Sequence, residues 1–83
     1  MENSLVDALS MVDELINDNN VSRSVRETMR GVMDILNEDS ELPVKCDKAI
    51  QLLTLNDDPN IDSFTRTRIW SILSMLEAAS QES

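Results

Sequence analysis

The chain has 83 residues, 7 of them basic and 16 acidic, with no histidine, and carries a formal net charge of −9. A domain this small hides roughly 60–65% of the surface its unfolded form exposes, which leaves room for one core over residues 1–83 and no deep pocket. The acid surplus disfavours binding to phosphate backbones and to anionic membranes. Only Phe64 and Trp70 are aromatic, so Leu, Ile, Val and Met must build the core. An aliphatic bundle of this kind rarely encloses the concave, partly aromatic site that a small molecule needs. Cys46 is the only cysteine and cannot form an intramolecular disulfide. The start of the chain, Met1-Glu2-Asn3-Ser4-Leu5, lacks the basic and apolar regions of a secretion signal. No stretch approaches the roughly 18 apolar residues of a spanning helix. These features predict a cytoplasmic protein.

In chain order, a first helix is predicted to start after Asn3 or Ser4. Leu5, Leu9, Val12 and Ile16 recur at helical spacing on it, with Ala8, Met11 and Leu15 widening the stripe. Asn17-Asp18-Asn19-Asn20 ends this helix, because Asn and Asp favour turns. Ser22 or Ser24 can cap a second helix, and Ser24 with Glu27 has capping-box spacing. Val25, Met29, Val32 and Leu36 form its seam, and Gly31 inside it reads either as a tolerated glycine or as a close approach by another backbone. The polar run Asn37 to Glu41 links to a third helix, about Pro43 to Leu55, whose apolar arc is wider than one seam requires. Such a helix is either central or covered by a partner. Pro59 prevents its continuation, Asp62 is the N-cap candidate for a fourth helix, about Ser63 to Ala79, and Ser80 to Ser83 should fray.

The second half repeats the first at an offset of forty positions. Val12 aligns with Leu52, Leu15 with Leu55, Asp18 with Asp58, Asn20 with Asn60, Val21 with Ile61 and Arg26 with Arg66. Met29, Val32, Met33 and Leu36 then meet Ile69, Ile72, Leu73 and Leu76. The pattern predicts an all-α, four-helix up-and-down bundle built from two repeated helical hairpins, about 4–37 and 43–79.

Little in the pattern carries chemistry. Asp57, Asp58, Asn60 and Asp62 crowd oxygen ligands into one turn, and Asp58-x-Asn60-x-Asp62 copies the first half of a calcium loop, but Ser63 stands where the turn glycine belongs and Ile69 where the bidentate glutamate belongs, so no metal is expected. Without His, Tyr or a glycine-rich loop, and with Cys46 on an apolar face, no catalytic residue and no cofactor are expected. Arg23, Arg26 and Arg30 form a basic face on the second helix, which Glu27 and Asp34 can neutralise through pairs with Arg23 and Arg30. Arg26 and its repeat mate Arg66 are expected to hydrogen-bond carboxylates or carbonyls at the end of the bundle. Trp70 lies off the seam, at its edge, where Arg66 can stack over the ring. The neighbouring outer surface, Thr67, Ser71 and Ser74, is polar but uncharged, and with Arg66 and Trp70 it forms a candidate interface, since Trp and Arg often dominate interfaces.

The turn Asn56-Asp57-Asp58-Pro59-Asn60-Ile61, followed by Arg66-Thr67-Arg68-Ile69-Trp70-Ser71-Ile72-Leu73-Ser74-Met75-Leu76-Glu77, resembles the C-terminal signature of an uncharacterised archaeal family, UPF family zero-one-four-seven. Asp18 to Arg26 resembles that family's matching first-half turn, although the family's prolines near Ser22 and Asp62 are missing here. The resemblance implies a small cytoplasmic α-helical bundle of archaeal type and brings no activity or site. The surplus apolar arc of the third helix and the surface around Trp70 make the expected function a non-enzymatic module that binds another protein or its own copy. The alternative is a nucleic-acid- or translation-associated accessory protein using the arginine face.

Overall fold

The computed structural model describes residues 4–55 and 60–81. It contains four α-helices: α1 Ser4–Ile16, α2 Arg23–Leu36, α3 Leu42–Leu55 and α4 Ser63–Gln81. Among the described residues there is no strand. Each helix packs on its sequence neighbours, and α4 closes back on α1. The backbones of the diagonal pairs stay more than 8 Å apart, so the section is a four-cornered ring. The protein is an all-α, four-helix up-and-down bundle made of two helical hairpins.

Local chemistry explains the helix ends. At the end of α1, the Asn17 amide donates to the Asp13 carbonyl at 3.1 Å, and the Asp18 carboxylate accepts from the Asn20 N–H at 2.9 Å, turning the chain. Ser22, not Ser24, caps α2. Its backbone is extended and its hydroxyl accepts from the Val25 N–H at 3.3 Å. Ser24 is already inside the helix, where its carbonyl accepts from the Thr28 hydroxyl. Pro43 sits in the first turn of α3, where a missing N–H leaves no bond unmade. Asp62 caps α4 by accepting from the Thr65 N–H at 3.2 Å. That helix keeps Ser80 and Gln81, two residues more than its seam predicts. The expectations on Asn3, Pro59 and the residues after Gln81 lie outside the described residues.

The core takes Ala8, Val12 and Leu15 from α1, Val25, Met29, Val32 and Leu36 from α2, Cys46, Ala49 and Leu53 from α3, and Ile72, Leu76 and Ala79 from α4. Burying a large aliphatic side chain is worth about 1.5–3 kcal/mol relative to leaving it exposed. Gly31 is in ordinary helical conformation, and a Cβ there would stand 3.0 Å from Cδ2 of Leu52. Its neighbour across the α2/α3 contact is thus a side chain and not the backbone.

The repeat holds in one half of each hairpin and slips in the other. Starting one residue after Ser22 and Asp62, α2 and α4 bury matched positions: Val25 with Thr65, Val32 with Ile72, and Leu36 with Leu76. On α3, however, Leu55, the mate of fully buried Leu15, is 82% exposed, and Leu53 is buried instead. From Leu15 to Val21 is six residues, whereas from Leu53 to Ile61 is eight. A two-residue slip turns a helix by about 200°, so the core face of α3 is set by its own longer connection and not by the ungapped alignment. Of the two readings of the wide apolar arc of α3, central or covered by a partner, the central one is thereby removed. The backbone of α3 comes close only to those of α2 and α4, and its surplus apolar residues Val44 and Leu55 face outward.

Candidate functional site

On α4 the core residues Thr65, Ile72, Leu76 and Ala79 face inward, and at about 100° per residue Trp70 points almost directly away from them. It is 61% exposed. Arg66, Ile69 and Leu73 lie on its α3 side, and together with Leu53, Thr54 and Ile61 they wall an open groove of about 250 Å³ between α3 and α4. Thr67 and Ser74 stand on the other side of Trp70, and Ser71 lies further round toward α1. The Thr67 hydroxyl donates to the Ser63 carbonyl at 2.9 Å and that of Ser71 to the Thr67 carbonyl at 3.2 Å. Of the five candidate interface residues, only Trp70 and Arg66 line the groove. Sequence reasoning missed its apolar walls Leu53 and Ile61, because they come from α3 and the following turn, which only the tertiary fold brings beside Trp70.

Two expectations about arginines are corrected. The guanidinium of Arg66 forms no ion pair among the described residues, and the ring contact forms elsewhere. Arg68 lies 5.1 Å from the centroid of the Phe64 ring. It also donates to Glu14 at 3.0 Å and Asp18 at 3.4 Å, tying α4 to the end of α1. Arg68, unmarked by the repeat, does the job expected of Arg26 and Arg66. The physical reason is direction: with the α4 core face inward, Arg66 points along the α3 side and Arg68 along the α1 side, where the acids stand. A signal existed in Glu14 and Asp18, one helical turn apart, and in Phe64 and Arg68 at the same spacing.

The basic face of α2 divides by environment. Arg23 pairs with Glu27 at 3.3 Å, both largely in solvent. Arg26 is half-buried, and its Nε is shut from water without an acceptor. Arg30 is exposed and forms no ion pair with Asp34.

A second cavity, about 270 Å³, lies where the hairpin turns meet, lined by Asn20, Ser22, Val25, Asn60, Ile61, Asp62 and Thr65. Its Ser22 and Asp62 oxygens already cap helices. Asp62 also accepts from the Thr65 hydroxyl at 2.6 Å, and the Thr65 side-chain and backbone bonds hold its carboxyl below the usual aspartate range. Among the described residues no three His, Cys, Asp or Glu side chains converge as metal ligands; Asp57 and Asp58 lie outside them. Cys46 is fully buried, and burial pushes its thiol up against a smaller opposing pull from Lys45, so it behaves as a small apolar side chain. No helix among the described residues is long and apolar enough to cross a membrane.

Comparison with known proteins agrees with this architecture. The model of the Uncharacterised protein family (UPF0147) matches residues 1–79. UPF0147 protein MJ1419 of Methanocaldococcus jannaschii is 42% identical over 81% of this chain and 74% of its own. A UPF0147 protein of Methanosarcina acetivorans is 38% identical over 83% of this chain and 73% of its own, and one of Archaeoglobus fulgidus is 33% identical over 94% and 91%. A solved structure described as "Crystal structure of unknown function protein MMP1188" superposes with a TM-score of 0.81 at 39% identity, covering 89% of this chain and 86% of that one. Backed by a family match across nearly the whole chain and by archaeal relatives of similar size, the four-helix bundle described above belongs to the uncharacterised protein family UPF0147.

Proposed function

We propose that the protein is a non-enzymatic, cytoplasmic interaction module that docks a protein surface in the α3/α4 groove, with Trp70 as its anchor. The observation that carries this reading is Trp70 itself. A large aromatic side chain held 61% exposed beside the apolar walls of an open groove leaves unburied the kind of surface that dominates binding energetics. Among the described residues that line the groove, no titratable groups converge for catalysis. The arginine face of α2 supports the nucleic-acid alternative less well: Arg23 is paired, Arg26 is partly buried, and Arg30 alone leaves few phosphate contacts against a net charge of −9.

The test compares tagged wild-type protein with Trp70→Ala in affinity purification from native extract. Because Trp70 is mostly solvated, the substitution should change folding stability by less than about 1 kcal/mol. A defined protein, or the untagged chain itself, should be recovered with wild type and lost with Trp70→Ala. Recovery that is unchanged by the substitution contradicts the reading.

A further inference from the structure

We infer that the occupant of the groove is a second copy of this chain, docked α4 against α4 in antiparallel register with Arg66 of each copy facing Glu77 of the other. This rests on the docking reading and names its partner. Arg66, Trp70, Leu73 and Glu77 recur at spacings of four, three and four residues, which confines them to an arc of about 60° on one face of α4. Arg66 and Glu77 then stand about 16 Å apart along the axis, with Trp70 and Leu73 between them.

The stripe is self-complementary in one direction only. Turned end for end by a two-fold axis it places opposite charges together at both ends, and it lays Trp70 of each copy over Leu73 of the other, at the mouth of the α3/α4 groove. Parallel pairing would set arginine on arginine and glutamate on glutamate. An isologous contact of this kind closes after two copies.

Charge singles out this face. Two chains of net charge −9 repel each other over most of their surfaces, but none of the described residues that line the groove is a carboxylate. Among the described residues Arg66 and Glu77 form no ion pair, whereas Arg68, two residues from Arg66, holds two. An occupant that covered Arg66 without supplying an acceptor would leave a desolvated, unpaired cation. A second copy supplies that acceptor through Glu77, and its own Arg66 answers the first copy's Glu77.

The test is sedimentation velocity across a concentration series, with circular dichroism confirming that each variant is folded. Wild type should form a reversible dimer. Arg66→Glu and Glu77→Arg should each weaken self-association by at least about tenfold, since each sets like charges face to face. Glu77→Arg is the sharper case, because it lowers the net negative charge and would strengthen a contact governed by overall repulsion. Mixing the two single variants re-forms both ion pairs and should restore dimers, as should the double variant Arg66→Glu/Glu77→Arg. Wild type that stays monomeric throughout, a dimer that survives both single reversals, or single variants that mixing does not rescue would each overturn the proposal. A monomeric wild type that still recovers a different protein through Trp70 overturns this inference alone and leaves the docking reading standing.

Discussion

Thr65 is the one buried polar side chain among the described residues, and it occupies the place that Val25 holds in the first hairpin. Its hydroxyl bond to Asp62 is the largest cause of that carboxyl's depressed pKa. The stabilisation linked to Asp62 is therefore fully present above the ordinary aspartate range and is lost as pH falls through its lower native value. In Thr65→Val, nuclear magnetic resonance titration should find Asp62 ionising closer to the ordinary range. The stability gap to wild type should be widest near neutrality and narrow in acid; an Asp62 titration unmoved by the substitution contradicts this. Asp62 was legible as a cap from the sequence, but its second partner was not, because a threonine on a seam reads as a weak core residue until the helix start is fixed. Arg68 was less legible still. Its partners Glu14 and Asp18 lie some fifty residues away in the chain. Both acids retain solvent contact, so each pair is worth only tenths of a kcal/mol to about 1 kcal/mol, with a similar increment from the Phe64 ring. Arg68→Ala should lower the unfolding free energy by about 1–2 kcal/mol in denaturant titration at low salt, and less at high salt. A loss below about 0.3 kcal/mol would mean that the clamp is ornamental.

Helix number and the faces of α1, α2 and α4 were readable because their apolar stripes recur at helical spacing and each connection is rich in Asn, Asp or Ser. Asp62 marked the start of α4, the start of α2 stayed open between Ser22 and Ser24, and these two helices keep the repeat's register. The face of α3 was not readable from the ungapped repeat, because register depends on connection length. Leu52, Leu53 and Leu55 are chemically alike, so composition could not reveal which of them points inward. The structure buries Leu53 and leaves Leu55 outside. Leu53→Ala should therefore cost about 2–4 kcal/mol through lost burial and a residual cavity, while Leu55→Ala should fall within about 0.5 kcal/mol of wild type. Equal losses from the two substitutions in thermal or chemical unfolding would contradict the two-residue slip. Trp70 and Arg66 were legible as interface candidates by type and by position off the seam. The groove beside them was not, since half its wall belongs to α3 and the α3/α4 turn.

For the whole molecule, sixteen acids on 83 residues make most of the surface repulsive to its own kind, and the few uncharged areas become the places where contact is affordable. The bundle buries most of its aliphatic residues and leaves its single tryptophan on such an area, beside an open groove bordered by Arg66, which forms no ion pair among the described residues. That arrangement favours a surface that meets another protein surface, and the Arg66 to Glu77 stripe makes a second copy the best fit. The most direct measurement is the emission spectrum of Trp70 as a function of protein concentration, since it is the only tryptophan in the chain. At high dilution it should emit as a water-exposed indole, and its maximum should shift to the blue as concentration rises and the ring becomes covered. Emission that is already blue in dilute monomer, or that stays red and unchanged at every concentration, would contradict the account.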